Sequence, residues 1–551
     1  MSTPDLNRLL TAPILPTLLR LSAPNVLAMV MSVLVGIAET YYVGRLGTTP
    51  LAAMALVFPF AMLTQMMSAG AMGGGVSAAI SRALGASDLV RAQSLVQHAL
   101  LIGLGAGLIY SALFLLWGPD FYAWLGGRGA VQEQAVQYGQ VLFAGAVLVW
   151  LLNTLASIVR GTGNMRAPSL ALVATAMLQI ALSGALSLGA GPVPALGMVG
   201  VALGHILATA AGVLYFLWYL IRSQGRLTLH LQGFVIQRSL LADILRVGAV
   251  ACLSPIQSVL AILIFTGLLA QLGTEALAGY GIGQRLEFLL IPIAFGIGVA
   301  AVPMVGMAMG AGQVARARRV AWVAAGLSAL NLGVIGAVVT LAPDVWARLF
   351  TQDETVLAFA RQYLVTAGPA FPFFGLGLTL YFASQGAGQV IGPVLAGTVR
   401  LVLVAGAGWW LAQHQGTAGD FYGLVAVAML LPLSAMPLQS APPASPASCV
   451  VPTPSLDGPG ISDDVCGASV NFHEFGNMAW QTFKTLVWPA SGRGEADTLR
   501  ELADMVGSRV FETYKADWET FQNQAAEPLA WHRYPDKAPI CANIQRGLMK
   551  I

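Results

Sequence analysis

Apolar residues fill long stretches of the chain, and the charged residues fall mostly between those stretches. A bilayer core of about 30 Å is crossed by roughly 20 helical residues at 1.5 Å rise each. Twelve stretches reach or approach that length: residues 22–43, 51–80, 94–117, 134–158, 168–189, 195–221, 245–271, 277–307, 319–342, 358–383, 391–412 and 421–437. We number them spans 1 to 12; the last is the weakest. The first is full length and runs directly into the rest, so no cleavable leader is expected. The pattern predicts an all-α membrane protein with twelve transmembrane helices.

Composition agrees with the pattern and adds a boundary. Hydrophobic residues make up 56% of the 551 and charged residues 10%, where soluble proteins carry about 25% charge. That excludes an ordinary soluble domain, a disordered chain and a nucleic-acid binder. Residues 1–440 hold 19 Arg, no Lys and 12 acids, whereas positions 441–551 hold 9 basic and 13 acidic side chains. A +7 apolar piece is therefore joined to a −4 piece of soluble character, which marks a domain boundary. Orientation follows from the arginines. With the N-terminus in the cytoplasm, Arg8, Arg20, Arg82, Arg91, Arg160, Arg166, Arg222, Arg226, Arg238, Arg246, Arg316, Arg318 and Arg319 fall inside, and only Arg45, Arg128, Arg348 and Arg361 fall outside.

The chain also repeats itself at a near-constant offset, a little less than half its length. RLGTTPLAA from Arg45 returns as QLGTEALAG from Gln271, LGASDLVRA from Leu84 as MGAGQVARA from Met309, and RGTGNMRAP from Arg160 as QGAGQVIGP from Gln385. Six spans separate the copies, so both halves share one membrane orientation, related by an axis along the membrane normal. Two pseudo-symmetric six-helix lobes around a central cavity are expected. The predicted domains are an N-terminal lobe at 1–222, a cytoplasmic linker at 223–244, a C-terminal lobe with a truncated last helix at 245–437, a Pro/Ala/Ser-rich linker at 438–467 and a small, soluble, mainly helical tail at 468–551.

Residues 10–430 resemble the multidrug and toxic compound extrusion (MATE) family of secondary transporters. The resemblance rests on LSAPNVL in span 1, AETYYVGRLG at its end, RGTGN after span 4 and GQRLEFLLIPIAFGIG in span 8. It implies twelve helices in two lobes, alternating access, and export of organic, often cationic compounds driven by proton or sodium entry, with no cofactor. The implied partners are drug or metabolite substrates, protons or sodium ions and the lipid bilayer, with the protein acting as a monomer.

Glu39 is the foremost candidate residue. An ionisable side chain within an apolar span is costly and marks function by default; because desolvation penalises the charged form, such a carboxyl can exchange a proton near neutral pH. It could instead sit near the outer interface and pair with Arg45. Family members usually carry Asp there. Where proton-type members commonly carry Asn and Asp four residues apart in span 5, this chain has Gln179 and Ser183. A span 6 position often occupied by Thr is His205, which either joins a proton relay or is only hydrogen-bonded. Spans 7 and 10 lack the acids of some members, which favours a site in the N-terminal lobe and coupling to protons. Arg285 and Glu287 in span 8 are two residues apart and do not face each other, so each needs a partner elsewhere, as latch or relay. Pro24 matches the family's span 1 proline, implicated in helix bending, or else starts the helix. Met31, Met62 and Met66 are candidate cavity residues, since methionine suits promiscuous binding, although packed or lipid-facing methionine is the commoner case.

The tail carries no assigned chemistry. Cys449, Cys466 and Cys541 allow one disulfide outside the cell and none inside, and FHEFGN lacks the HExxH spacing. Twelve spans put the tail in the cytoplasm, while the leader-like segment from Met429 to Cys449 would put it outside. A proton-coupled exporter is the leading expectation, with a lipid or lipid-linked glycan flippase or a non-functional fusion product as alternatives.

Overall fold

A computed structural model describes residues 9–189, 194–222, 227–228 and 235–430, and all regular structure among them is helical. The chain divides after Pro446 into two units, and the described residues lie in the first. The expectations for residues 438–467 and 468–551, the three tail cysteines and the completion of span 12 beyond Leu430 lie outside the described residues.

Ten described helices are long and apolar enough to cross a bilayer: Ile14–Leu46 (span 1), Thr48–Gly85 (2), Leu89–Trp124 (3), Arg166–Leu188 (5), Gly197–Arg222 (6), Arg238–Leu272 (7), Thr274–Gly310 (8), Val314–Leu341 (9), Glu354–Ala387 (10) and Ile391–Gln413 (11). Span 4 is a pair, Gly129–Ala144 and Ala146–Gly161, bent by 42°. The bend falls at Gly145, where a Cβ would stand 2.4 Å from the Ile206 side chain of span 6. Ala418–Leu430 is the described part of span 12. Large apolar side chains face outward along the helices, as Leu101, Leu104, Leu108 and Leu115 do along span 3; in a bilayer such a stripe meets lipid rather than water.

Two elements differ from the sequence pattern. Span 7 begins at Arg238 rather than 245, because Leu240, Ile244 and Val247 form a buried face while Asp243 pairs with Arg91 at the start of span 3; the linker stops that much earlier. Its described part is tied to span 3, where the Gln93 carboxamide bonds both backbone polar groups of Thr228 and the Gln237 N–H donates to His98 Nε2 at 2.9 Å. In span 2, residues Met66–Met72 form a π-helical segment immediately before Gly73, Gly74 and Gly75. A Cβ on Gly75 would stand 2.7 Å from the Gly248 nitrogen of span 7, and one on Gly73 2.5 Å from Ser157 Oγ. The tight approach of three spans, rather than local propensity, sets this wide turn.

The internal repeat is written into the backbone. The repeat mates Gly47 and Gly273 have φ of 126° and 114°; Ser87 and Gly312 have 61° and 72°; Gly163 and Gly388 have 86° and 80°. Each pair terminates or joins equivalent helices. The packing repeats as well. Within the N-terminal lobe Gly161 lies against Ser77 and Ile80, and within the C-terminal lobe Gly386 lies against Val302 and Val305, each the mate of its counterpart. Between lobes the contacts are reciprocal. A Cβ on Gly85 would stand 2.2 Å from the Met307 carbonyl oxygen, and one on Gly310, the repeat mate of Gly85, 2.0 Å from the carbonyl oxygen of Arg82, the mate of Met307. Ser81 and its mate Gly306 touch each other, so the pseudo-twofold axis passes between them.

These contacts close the bundle at the end where spans 2, 4, 8 and 10 finish. Arg82 adds hydrogen bonds to the carbonyls of Gln385 (3.4 Å) and Gly386 (3.3 Å) at the end of span 10. Arg316 on span 9 donates to the carbonyls of Leu9 (3.0 Å) and Ala12 (2.6 Å), ahead of span 1. We call this end the seal.

Candidate functional site

Spans 1, 5 and 6 pack together in the N-terminal lobe, and the reason is partly steric. Gly204 of span 6 has no side chain, and a Cβ there would stand 2.4 Å from the Ser183 backbone nitrogen of span 5. Helices brought this close place side chains from all three in direct contact. Glu39 is 8% exposed and lies seven residues from the end of span 1, about 10 Å from its terminus at 1.5 Å per residue, away from the seal.

Its Oε1 accepts two hydrogen bonds, from Gln179 Nε2 at 2.8 Å and from Ser183 Oγ at 3.2 Å. Gln179 and Ser183 are four residues apart, hence on one helix face. Gln179 Nε2 also lies 2.6 Å from His205 Nδ1 on span 6, and the Ser183 hydroxyl has a second acceptor, the Val201 carbonyl, at 3.3 Å. The four polar residues singled out in spans 1, 5 and 6 thus form one connected network, and Glu39 pairs with these neighbours rather than with Arg45. The geometry lets a carboxyl gain or lose a proton with partners at hand for either state. The C-terminal lobe has no equivalent, since the repeat mate of Glu39 is Phe265.

The pattern of matched halves decides the family. The MatE family model matches the chain twice, at residues 24–183 and 251–410. The chain belongs to the MATE family. The two matches are equal in length and follow each other in step with the repeat. Among the similar MATE proteins, the FAD transporter of Shewanella oneidensis is 25% identical over 402 residues, covering 73% of this chain and 88% of that protein. The probable multidrug resistance protein NorM of Thermotoga maritima is 27% identical over 383 residues, covering 69% and 81%. A solved outward-facing conformation of a multidrug resistance MATE transporter superposes with a TM-score of 0.71 at 25% identity, covering 79% of this chain and 97% of that one. This MATE protein is a multi-pass membrane transporter with two six-helix lobes.

Other candidates are dispersed through the MATE fold. Pro24 lies ten residues inside the continuous helix Ile14–Leu46, so it does not start span 1; it removes one backbone donor mid-helix. Beside it Asn25, 2% exposed, accepts from Ser169 Oγ at 2.9 Å and contacts Met165 Sδ at 3.3 Å, a link between spans 1 and 5 that sequence reasoning missed. Its signal was a polar residue next to the proline. Glu287 and Arg285 point apart. Glu287 accepts from Tyr363 Oη of span 10, whereas Arg285 stacks over the Phe350 ring at 5.2 Å. Arg400 bonds Ser258 Oγ at 2.9 Å. Met31, Met62 and Met66 are half-buried, and Met66 opens the π segment. A second missed group is Asn153 of span 4, which donates to Ser68 Oγ at 2.8 Å in that segment. Arg160, counted above with the inside loops, is 2% exposed within the bundle, so it drops out of that count.

Proposed function

We propose that this protein is a secondary antiporter of a bacterial-type inner membrane, N-terminus in the cytoplasm, exporting organic cationic or amphiphilic compounds in exchange for protons. The observation that carries this is the buried Glu39 hydrogen-bonded to Gln179 and Ser183, with His205 beyond. When its NH2 group faces both neighbours, Gln179 donates one hydrogen to an ionised Glu39 and one to an unprotonated His205 Nδ1. When the carboxamide is turned over, its oxygen faces both neighbours and suits a protonated Glu39 and a protonated His205. Ser183 follows by moving its hydrogen between Glu39 and the Val201 carbonyl. The network therefore has a proton-empty and a proton-loaded arrangement, and Pro24 gives span 1 a weak point at which the two could differ in curvature. Sodium entry is the less favoured driving reaction, because a single carboxylate oxygen bonded to donors is a poor cage for a hard cation.

The test is efflux of ethidium from proteoliposomes under an imposed pH gradient. Glu39→Gln is expected to lose at least about tenfold of the pH-driven rate, as removal of a charged hydrogen-bonded group does; an unchanged rate overturns the assignment. A second reading, export of a flavin nucleotide, is favoured by the similarity to the FAD transporter. Gradient-driven loss of FAD from the same vesicles in preference to ethidium would select it.

A further inference from the structure

A small cavity lies on the pseudo-twofold axis near the seal, far from Glu39, with room for about one water-sized particle. Its walls are Gly73, Gly74 and Ser77 of span 2, Ser157 and Arg160 of span 4, and Val299 and Val302 of span 8, with Ala69 of the π segment. Gly74 and Val299 are repeat mates, as are Ser77 and Val302, so the two lobes meet here face to face. The faces differ in chemistry. The C-terminal lobe presents two valines, with the buried, unpartnered Gln385 carboxamide of span 10 standing against Gly74 beside them, and the N-terminal lobe presents a guanidinium and two hydroxyls.

Those polar groups are buried without partners. Ser77, Ser157 and Arg160 are 4%, 1% and 2% exposed, and Ser77 Oγ, Ser157 Oγ, Arg160 Nε and Arg160 Nη1 make no hydrogen bond. Among the described residues no carboxylate forms an ion pair with Arg160; the ion pairs are those of Arg91, Arg348 and Arg361. A buried guanidinium needs an opposite charge and acceptors for its N–H groups, and native structures rarely leave such donors empty. A water molecule brings two lone pairs and no charge. A monoatomic anion accepts from the donors present and neutralises Arg160.

We propose that this cavity binds a halide-sized monovalent anion, chloride in the cell, which ties Arg160, Ser77 and Ser157 to the span 8 wall and stabilises the closed seal. This goes beyond the transport reading and is measured independently of it.

The experiment follows the thermal unfolding midpoint of the purified full-length chain as sodium chloride replaces sodium gluconate at constant ionic strength, with bromide as a second halide. The wild type is expected to show a saturable rise with both halides. Arg160→Gln is expected to show at least about tenfold weaker apparent halide affinity, the scale of losing a charge-assisted hydrogen bond. Equal midpoints for the wild type in chloride and gluconate overturn the proposal, as a cavity holding water would give; so do equal halide responses in wild type and variant. If Arg160→Gln does not fold, the double variant Ser77→Ala, Ser157→Ala takes its place. It keeps the charge and removes two donors, so a weaker halide affinity supports the site and an unchanged affinity overturns it.

Discussion

Gln179 is the only residue of the candidate site that touches two titratable groups, Glu39 at 2.8 Å and His205 at 2.6 Å. A carboxamide in that position makes the two groups sense each other, because one orientation satisfies both when empty and the other satisfies both when loaded. Replacing it by leucine leaves Glu39 with Ser183 alone and His205 with no link to the carboxyl. The lost bond is worth about 1–3 kcal/mol, so Gln179→Leu is expected to lower pH-driven efflux roughly tenfold or more. If His205 acts only through Gln179, the double variant Gln179→Leu, His205→Phe is no slower than Gln179→Leu. Additive losses in the efflux rates of the three variants would show that His205 acts separately. Glu39 was legible in sequence as an ionisable side chain in an apolar span, whereas Gln179, Ser183 and His205 were singled out through the family resemblance, the spacing of four then placing Gln179 and Ser183 on one face. Arg160 was not legible as a buried group. Its place in a motif at the end of span 4 fits a headgroup-facing arginine equally well, and only the rotation of span 4 against spans 2 and 8 turns it inward.

At the scale of elements, the clearest sequence signal was the repeat, which the backbone reproduces as matched positive φ values. The Leu84 and Met309 loops differ in one instructive residue. Gly312 adopts φ of 72° without a Cβ, whereas its mate Ser87 adopts 61° with one. A left-handed conformation costs an ordinary residue about 1–2 kcal/mol. Gly312→Val is therefore expected to destabilise the protein by about that amount, and Ser87→Gly to be neutral or slightly stabilising despite glycine's greater freedom when unfolded. Thermal unfolding of the two purified variants checks both signs, and a stabilised Gly312→Val would mean that the loop relaxes into another turn. The π segment at Met66–Met72 had no such signal. Its residues read as an ordinary apolar helix, and the extra width comes from glycine contacts to spans 4 and 7 that only tertiary packing defines.

At the scale of the whole molecule, the seal at one end and the Glu39 network toward the other give the two ends of the transporter different tasks. The reciprocal glycine contacts around Ser81 and Gly306 are short-range and steric, so they hold only while the lobes are fully closed at that end. Arg82 reinforces them from one side alone, because its repeat mate is Met307. An alternating-access cycle, the mode that the family resemblance implies, requires these contacts to part. A bulky side chain on the axis should then favour the parted state without touching the Glu39 network. A Cβ on Gly306 would already stand 2.0 Å from Ser81 Oγ, and Gly306→Leu adds overpacking of about 1–3 kcal/mol to the closed arrangement. That is enough to move the closed-to-open ratio by roughly tenfold. Val90 and Ala315 are exposed repeat mates at the starts of spans 3 and 9, one on each lobe, and serve as reporter positions. Spin labels introduced there, in a background lacking the native cysteines, are expected to show a distance distribution shifted to longer separations in Gly306→Leu. Arg82→Ala should shift it in the same direction by less, since it removes two hydrogen bonds and introduces no clash. An unchanged distribution in Gly306→Leu would mean that the lobes part by local bending of span 2 at its π segment, with the axis contacts left in place.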